Sequence, residues 1–189
     1  MAAYLFLLFA VLTRVVPHAG WWNFTAVGAM LIYFGARRPW REFIAPFAAL
    51  IAVDFVLTSF VYHTAFRPQD YLLTWAWYAM AFALGRILLS ARTSFVRVAV
   101  SALLGPTSFF VLSNFAVWAM DSTGAMYART LGGLVTCFGA GLPFYRNDLA
   151  STGLFLAIAF GVPVLVRRTV ESRTPAAVPV TISSQNRRG

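Results

Sequence analysis

The sequence predicts an all-α, polytopic transmembrane bundle of six spans with both termini cytoplasmic, and a short interfacial or re-entrant helix before the last span. Three observations predict it. The chain is 60% hydrophobic with a mean hydropathy of +0.72 and only six acidic residues, too little polar surface for a soluble domain of 189 residues. It has room for about six spans of about 20 residues each. All fifteen basic residues are arginine, and most fall at every other junction between apolar segments, as cytoplasmic loops require.

The first apolar segment, residues 2–16, lacks a basic n-region and has no A-x-A-like cleavage site before Trp21. It therefore reads as a membrane helix rather than a secretory signal, and Pro17 ends it because it donates no N–H and disfavours α conformation in Val16. The second segment, 24–36, stops at the basic turn of Arg37, Arg38, Pro39 and Arg41, which belongs on the cytoplasmic side. Segments 43–62 and 71–89 are joined by a loop with a single arginine, Arg67, expected outside. Arg86, Arg92 and Arg97 mark the next inner turn, and the fifth segment runs on to Met120 with a kink expected at Gly105 and Pro106.

Residues 131–144 are apolar but glycine-rich and too few for an ordinary span, hence the interfacial or re-entrant reading. Counting them as a seventh span would put Arg167, Arg168, Arg173, Arg187 and Arg188 outside. The last span is then 149–166, with Asp148 as its N-cap. The membrane domain covers 1–171. The tail 172–189, rich in Thr, Pro, Ser, Val and Arg, is expected to be disordered and cytoplasmic. A multi-pass protein of the cell (inner) membrane follows, its net charge of +9 directed at lipid headgroups rather than nucleic acid.

With this topology the polar residues not needed for loops collect at the outer helix ends. Arg14, His18 and Asn23 bracket the break between the first two helices, where unwound backbone can meet a polar ligand. Phe110, Asn114 and Trp118 are spaced by four and share one helix face, either lining a pocket or forming an interfacial aromatic belt with a packing asparagine. Trp22, Arg146 and Asn147 join them on that side. Asp54 lies about halfway along the third span, where an unpaired carboxylate costs several kcal/mol. It reads first as a hub paired with Arg14 or a tryptophan N–H, and alternatively as a ligand contact or coupling-proton site. No metal or cofactor is expected: His18 has only His63 as a possible companion, and the single cysteine, Cys137, excludes a multi-thiolate site. Cys137 reads as a small buried hydrophobe, with contact to a soft metal within a ligand as the alternative.

The motifs Arg14, Pro17, His18 with Asn23, Phe24, Thr25, Ala26, Val27, then Asp54, Ser108 to Phe110, Ser113 to Phe115, Trp118, and Pro143, Phe144, Arg146, Asn147 resemble an uncharacterised bacterial membrane-protein family with the signature R-x-x-P-H-x-x-N-F-T-P-V-x-A. Here Ala26 replaces the signature's proline, and Trp21 and Trp22 lengthen the turn before it. That family is similar in size and layout to the S components of energy-coupling factor (ECF) vitamin transporters. The resemblance implies a small-molecule site at the outer face beneath closing loops. It also implies a possible ECF-type energising module as partner. Ala2, Ala3 and Ala10 do not give the A-x-x-x-A docking face of a first S-component helix, so solitary action is the expectation. Beside a substrate-binding uptake protein stand two alternatives, an accessory or assembly subunit and a membrane enzyme using His18 or His63. No nucleophile with a spaced base supports the enzyme reading.

Overall fold

A computed structural model describes residues 1–16, 21–120 and 124–173. Each apolar segment becomes a helix: α1 (Ala2–Val15), α2 (Val27–Arg37), α3 (Ile44–Val56), α4 (Leu72–Leu89), α5 (Phe95–Met120) and α6 (Leu131–Arg173). Single 3-10 turns lead into α3 (Trp40–Phe43) and α4 (Pro68–Tyr71), and α3 leaves through a π-helical turn, Leu57–Val61. Four helical stretches, Trp40–Val61, Pro68–Leu89, Phe95–Met120 and Leu131–Ser172, are long and apolar enough to cross a membrane. The chain is a membrane protein. α1 and α2, with 14 and 11 residues, reach only about 21 and 17 Å at 1.5 Å per residue, less than the hydrocarbon thickness.

α2 is the centre of the bundle. It packs on α1, α4, α5 and α6, and nine of its eleven residues are buried, including Met30, Leu31, Ile32 and Phe34. A helix apolar on every side belongs inside. Its closest partner is α4, and the two run parallel: Gly28 lies beside Trp77, and Gly35 beside Phe82 and Arg86. α1 runs antiparallel to α2, since Tyr4 near its start donates to Glu42 Oε2 at 2.7 Å, just past the end of α2. Glu42 also pairs with Arg38 at 2.5 Å, and Arg37 stacks on Phe160 of α6, 5.1 Å from its ring centre. This is the arginine end of the bundle. The opposite end gathers the last turn of α1, the start of α2, the end of α3, the start of α4 and the facing stretches of α5 and α6.

The expected short helix before the last span is corrected by the structure. Residues 131–144 and 149–166 belong to one continuous helix of 43 residues, about 64 Å long, with Pro143 and Pro163 inside it. A re-entrant turn would leave a set of backbone N–H and C=O groups without partners, whereas a proline inside a helix withdraws one bond. α5 packs alongside, and the Gly141 backbone presses so close to Asn114 that a Cβ there would meet the amide at 2.5 Å. Asp148 is therefore a mid-helix residue and not an N-cap. The helix also continues past residue 171 to Arg173; the rest of the expected tail lies outside the described residues. α5 likewise stays helical through Pro106, and the Gly105 carbonyl just before it accepts Trp77 Nε1 at 3.3 Å and Ser108 Oγ at 2.7 Å.

Candidate functional site

Arg14 and Asp54 form the best-connected polar group of the bundle. Arg14 sits in the last turn of α1 and Asp54 near the end of α3. An arginine Nη meets Asp54 Oδ1 at 2.5 Å. Trp75 Nε1 donates to Oδ2 at 3.0 Å, and Tyr78 Oη lies 3.3 Å from the same oxygen. Asp54 is 1% exposed, and donors from two other helices satisfy it. Both partners expected for it, Arg14 and a tryptophan N–H, are present together. The main chain at Asp54 then widens: Thr58 Oγ1 caps the Asp54 carbonyl at 2.7 Å, Tyr62 N reaches back five residues to Leu57 O at 2.8 Å, and the Thr58 hydroxyl hydrogen-bonds Tyr71 Oη. A π turn of this kind is a recurrent feature of functional helix segments.

In front of this network lie two adjoining cavities. One, about 200 Å3, is bounded by Arg14, Thr25, Tyr71, Thr74, Trp77 and Tyr78. The other, about 140 Å3, lies between α5 and α6 against Phe110, Ser113, Asn114, Gly141, Phe144 and Tyr145. Asn23, Phe109 and Asp148 line both. A cavity of about 150 Å3 holds one benzene-sized ring, so each compartment matches a ring or a short polar substituent. Aromatic pairs stiffen the walls: Phe110 stacks on Tyr145 with centroids 4.7 Å apart, and Trp77 meets Phe109 at 4.8 Å. Tyr145 is fixed further by Thr107 Oγ1 at 2.9 Å from its hydroxyl.

Asn23 reaches both compartments because of its backbone. Its φ of +62° is left-handed, a region asparagine enters more readily than most residues. The turn is closed by Phe24 N to Trp21 O and Thr25 N to Asn23 O, each 3.0 Å. Asn114 donates through Nδ2 to Phe110 O at 2.7 Å, which leaves its Oδ1 facing Gly141 and the Cys137 thiol, 4.0 Å away. Cys137 is buried and donates to Asn114 O at 3.3 Å, so it meets the polar cluster through that main chain.

Of the residues expected at a ligand site, the structure brings Arg14, Asn23 and Asn114 to the cavities and sets Asp54 directly behind Arg14. Four others line neither. Trp22 is exposed and contributes its carbonyl, which accepts Asn147 Nδ2 at 3.0 Å. Trp118 donates to Ala128 O at 3.0 Å and carries Arg129 over its ring. Arg146 is on the exposed side of α6. These contacts tie the α1–α2 and α5–α6 connections to the bundle. His18 lies outside the described residues. Sequence reasoning passed over Thr74, Trp75, Trp77 and Tyr78 and took Asp148 for a helix cap rather than a site residue. For Thr74, Trp75 and Tyr78 the signal was their spacing of three to four with Tyr71 just before them, which marks one face of α4.

Neither curated proteins nor solved structures provide a match to this chain. A family model does match residues 1–177. The same stretch holds all six helices and every residue that lines the two cavities, and the chain belongs to that family, DUF6580, a family of unknown function.

Proposed function

We propose that the chain is a membrane substrate-binding protein for uptake of a small, vitamin-like molecule, with its site at the outer face. The observation that carries this reading is the pair of cavities joined at Asn23, Phe109 and Asp148. Apolar and aromatic walls with a few convergent polar groups are the usual make-up of a small-molecule site. Arg14 adds a donor, since its Nε is buried without a hydrogen-bond partner among the described residues. The likeness in size and six-helix layout between the family that the motifs resemble and S components supports the same assignment by analogy. Without a small-residue docking face in α1, the protein acts alone.

Native mass spectrometry of gently solubilised protein tests this. A reproducible non-lipid adduct is expected on the wild type and is expected to be lost in Asn114→Ala. Asn23→Gly should weaken it as well, because glycine keeps the left-handed backbone while removing the amide. Both variants should still fold, Asn114→Ala losing about 1–2 kcal/mol because the Asn114 side chain bonds Phe110 O and meets the Cys137 thiol and Gly141. A bare or lipid-only monomer counts against the uptake reading. An accessory subunit, for which the self-contained Arg14–Asp54 network is the favouring observation, would instead copurify with a stoichiometric protein partner and lose fold and partner together.

A further inference from the structure

Two aspartates are buried among the described residues, and they are treated in opposite ways. Asp54 receives an arginine, an indole N–H and a phenol. Asp148, 8% exposed, receives only Thr152 Oγ1, at 3.3 Å from Oδ1. Among the described residues no arginine is paired with it. Gly28 in the first turn of α2 faces it, a Cβ there standing 3.9 Å from Oδ1, yet no backbone N–H of α2 donates to the carboxylate. An unpaired carboxylate removed from water is costly, and such a group in a membrane bundle normally faces a partner or a pathway. Asp148 faces both cavities, on the wall they share.

We infer that Asp148 is the counter-charge for the ligand, which is a small organic cation whose charged N–H groups are attached to an aromatic ring. The ring enters the compartment walled by Phe110, Phe144 and Tyr145, and its N–H groups reach Asp148. Asn114 lines the same compartment, and its Oδ1, which faces Gly141 and the Cys137 thiol, is a further acceptor there. Arg14 does not compete for Asp148, because its guanidinium is held on Asp54. This inference rests on the uptake reading and narrows it to a chemical class.

The test uses probes of one size and shape: benzamidinium as cation, benzamide as neutral isostere and benzoate as anion, titrated into purified full-length protein with tryptophan fluorescence as readout, Trp77 lying on the cavity wall. Saturable binding is expected for benzamidinium, at least about tenfold tighter than for benzamide, in line with a hydrogen bond to a charged partner. Asp148→Asn, which keeps the side-chain shape, should erase that difference. Tighter binding of benzoate, or an unchanged cation preference in Asp148→Asn, overturns the inference. If Asp148→Asn fails to fold, the ranking of the three probes on the wild type still decides. Failure here is separable from failure of the uptake reading: a native adduct that is anionic or survives Asp148→Asn sinks the cation assignment alone, whereas the absence of any adduct sinks uptake.

Discussion

Asp54→Ala is expected to destabilise the bundle by about 3–5 kcal/mol, the usual loss when one partner of a buried ion pair is removed. The substitution strands three groups at once. Arg14 keeps its charge inside the bundle, and Trp75 Nε1 and Tyr78 Oη lose their acceptor. Ordinary interhelical hydrogen bonds in membranes are worth well under that amount, since the unfolded state in the bilayer also finds partners; a stranded arginine finds none that is equivalent. For a domain of this size the loss corresponds to roughly 10 °C in midpoint, read by thermal unfolding in detergent with tryptophan emission as probe. The double variant Arg14→Met with Asp54→Leu should recover most of it, because a well-packed apolar pair often replaces a buried ion pair at little cost. If Asp54→Ala melts within about 1 kcal/mol of the wild type, the network is peripheral and Arg14 is held by something else.

This network was partly legible in the sequence, and the reason is physical. One carboxylate inside a long apolar run has to find a cation or strong donors, so Arg14 and a tryptophan N–H followed from charge alone. Trp75 and Tyr78 did not stand out as the particular donors, because aromatics three or four residues apart on an apolar helix are read as core or belt. Asp148 was hidden by the misreading of α6. The clustered glycines and Pro143 resemble a helix end locally, which turned the next carboxylate into a cap. The lack of water around an apolar backbone overrides that local signal and keeps the helix running. His18 and Asn23 flank the same break in the chain, but only the backbone conformation shows why Asn23 reaches two cavities at once.

Gly35→Ala and Gly85→Ala are expected to damage the packing of α2 on α4 severely. The two glycines are the seam between α2 and α4. A Cβ on Gly35 would stand 2.0 Å from Phe82 O, and one on Gly85 would stand 1.9 Å from Ile32 O. These are contacts with backbone carbonyls, which no rotamer change relieves, so the helices must separate along the face that buries Ile32, Phe34, Tyr78 and Phe82. Overpacking of a well-fitted core costs about 1–3 kcal/mol, and a backbone clash at the central helix belongs at or above the top of that range. Small residues set helix spacing in membranes because lipid offers apolar side chains no less than a neighbouring helix does, leaving close packing to supply the attraction. Gly153→Ala and Gly161→Ala on α6 are the control, since a Cβ at either position has nothing within 4 Å. They should leave the midpoint unchanged or raise it, by up to about 1 kcal/mol each from helix propensity. Unfolding midpoints in one detergent settle the comparison. The α2–α4 pair should fall well below the α6 pair, and the double variant Gly35→Ala with Gly85→Ala should lose less than the sum of its parts, because one separation of the helices relieves both clashes. Equal midpoints across the four single variants would mean that the two helices are not held at this distance.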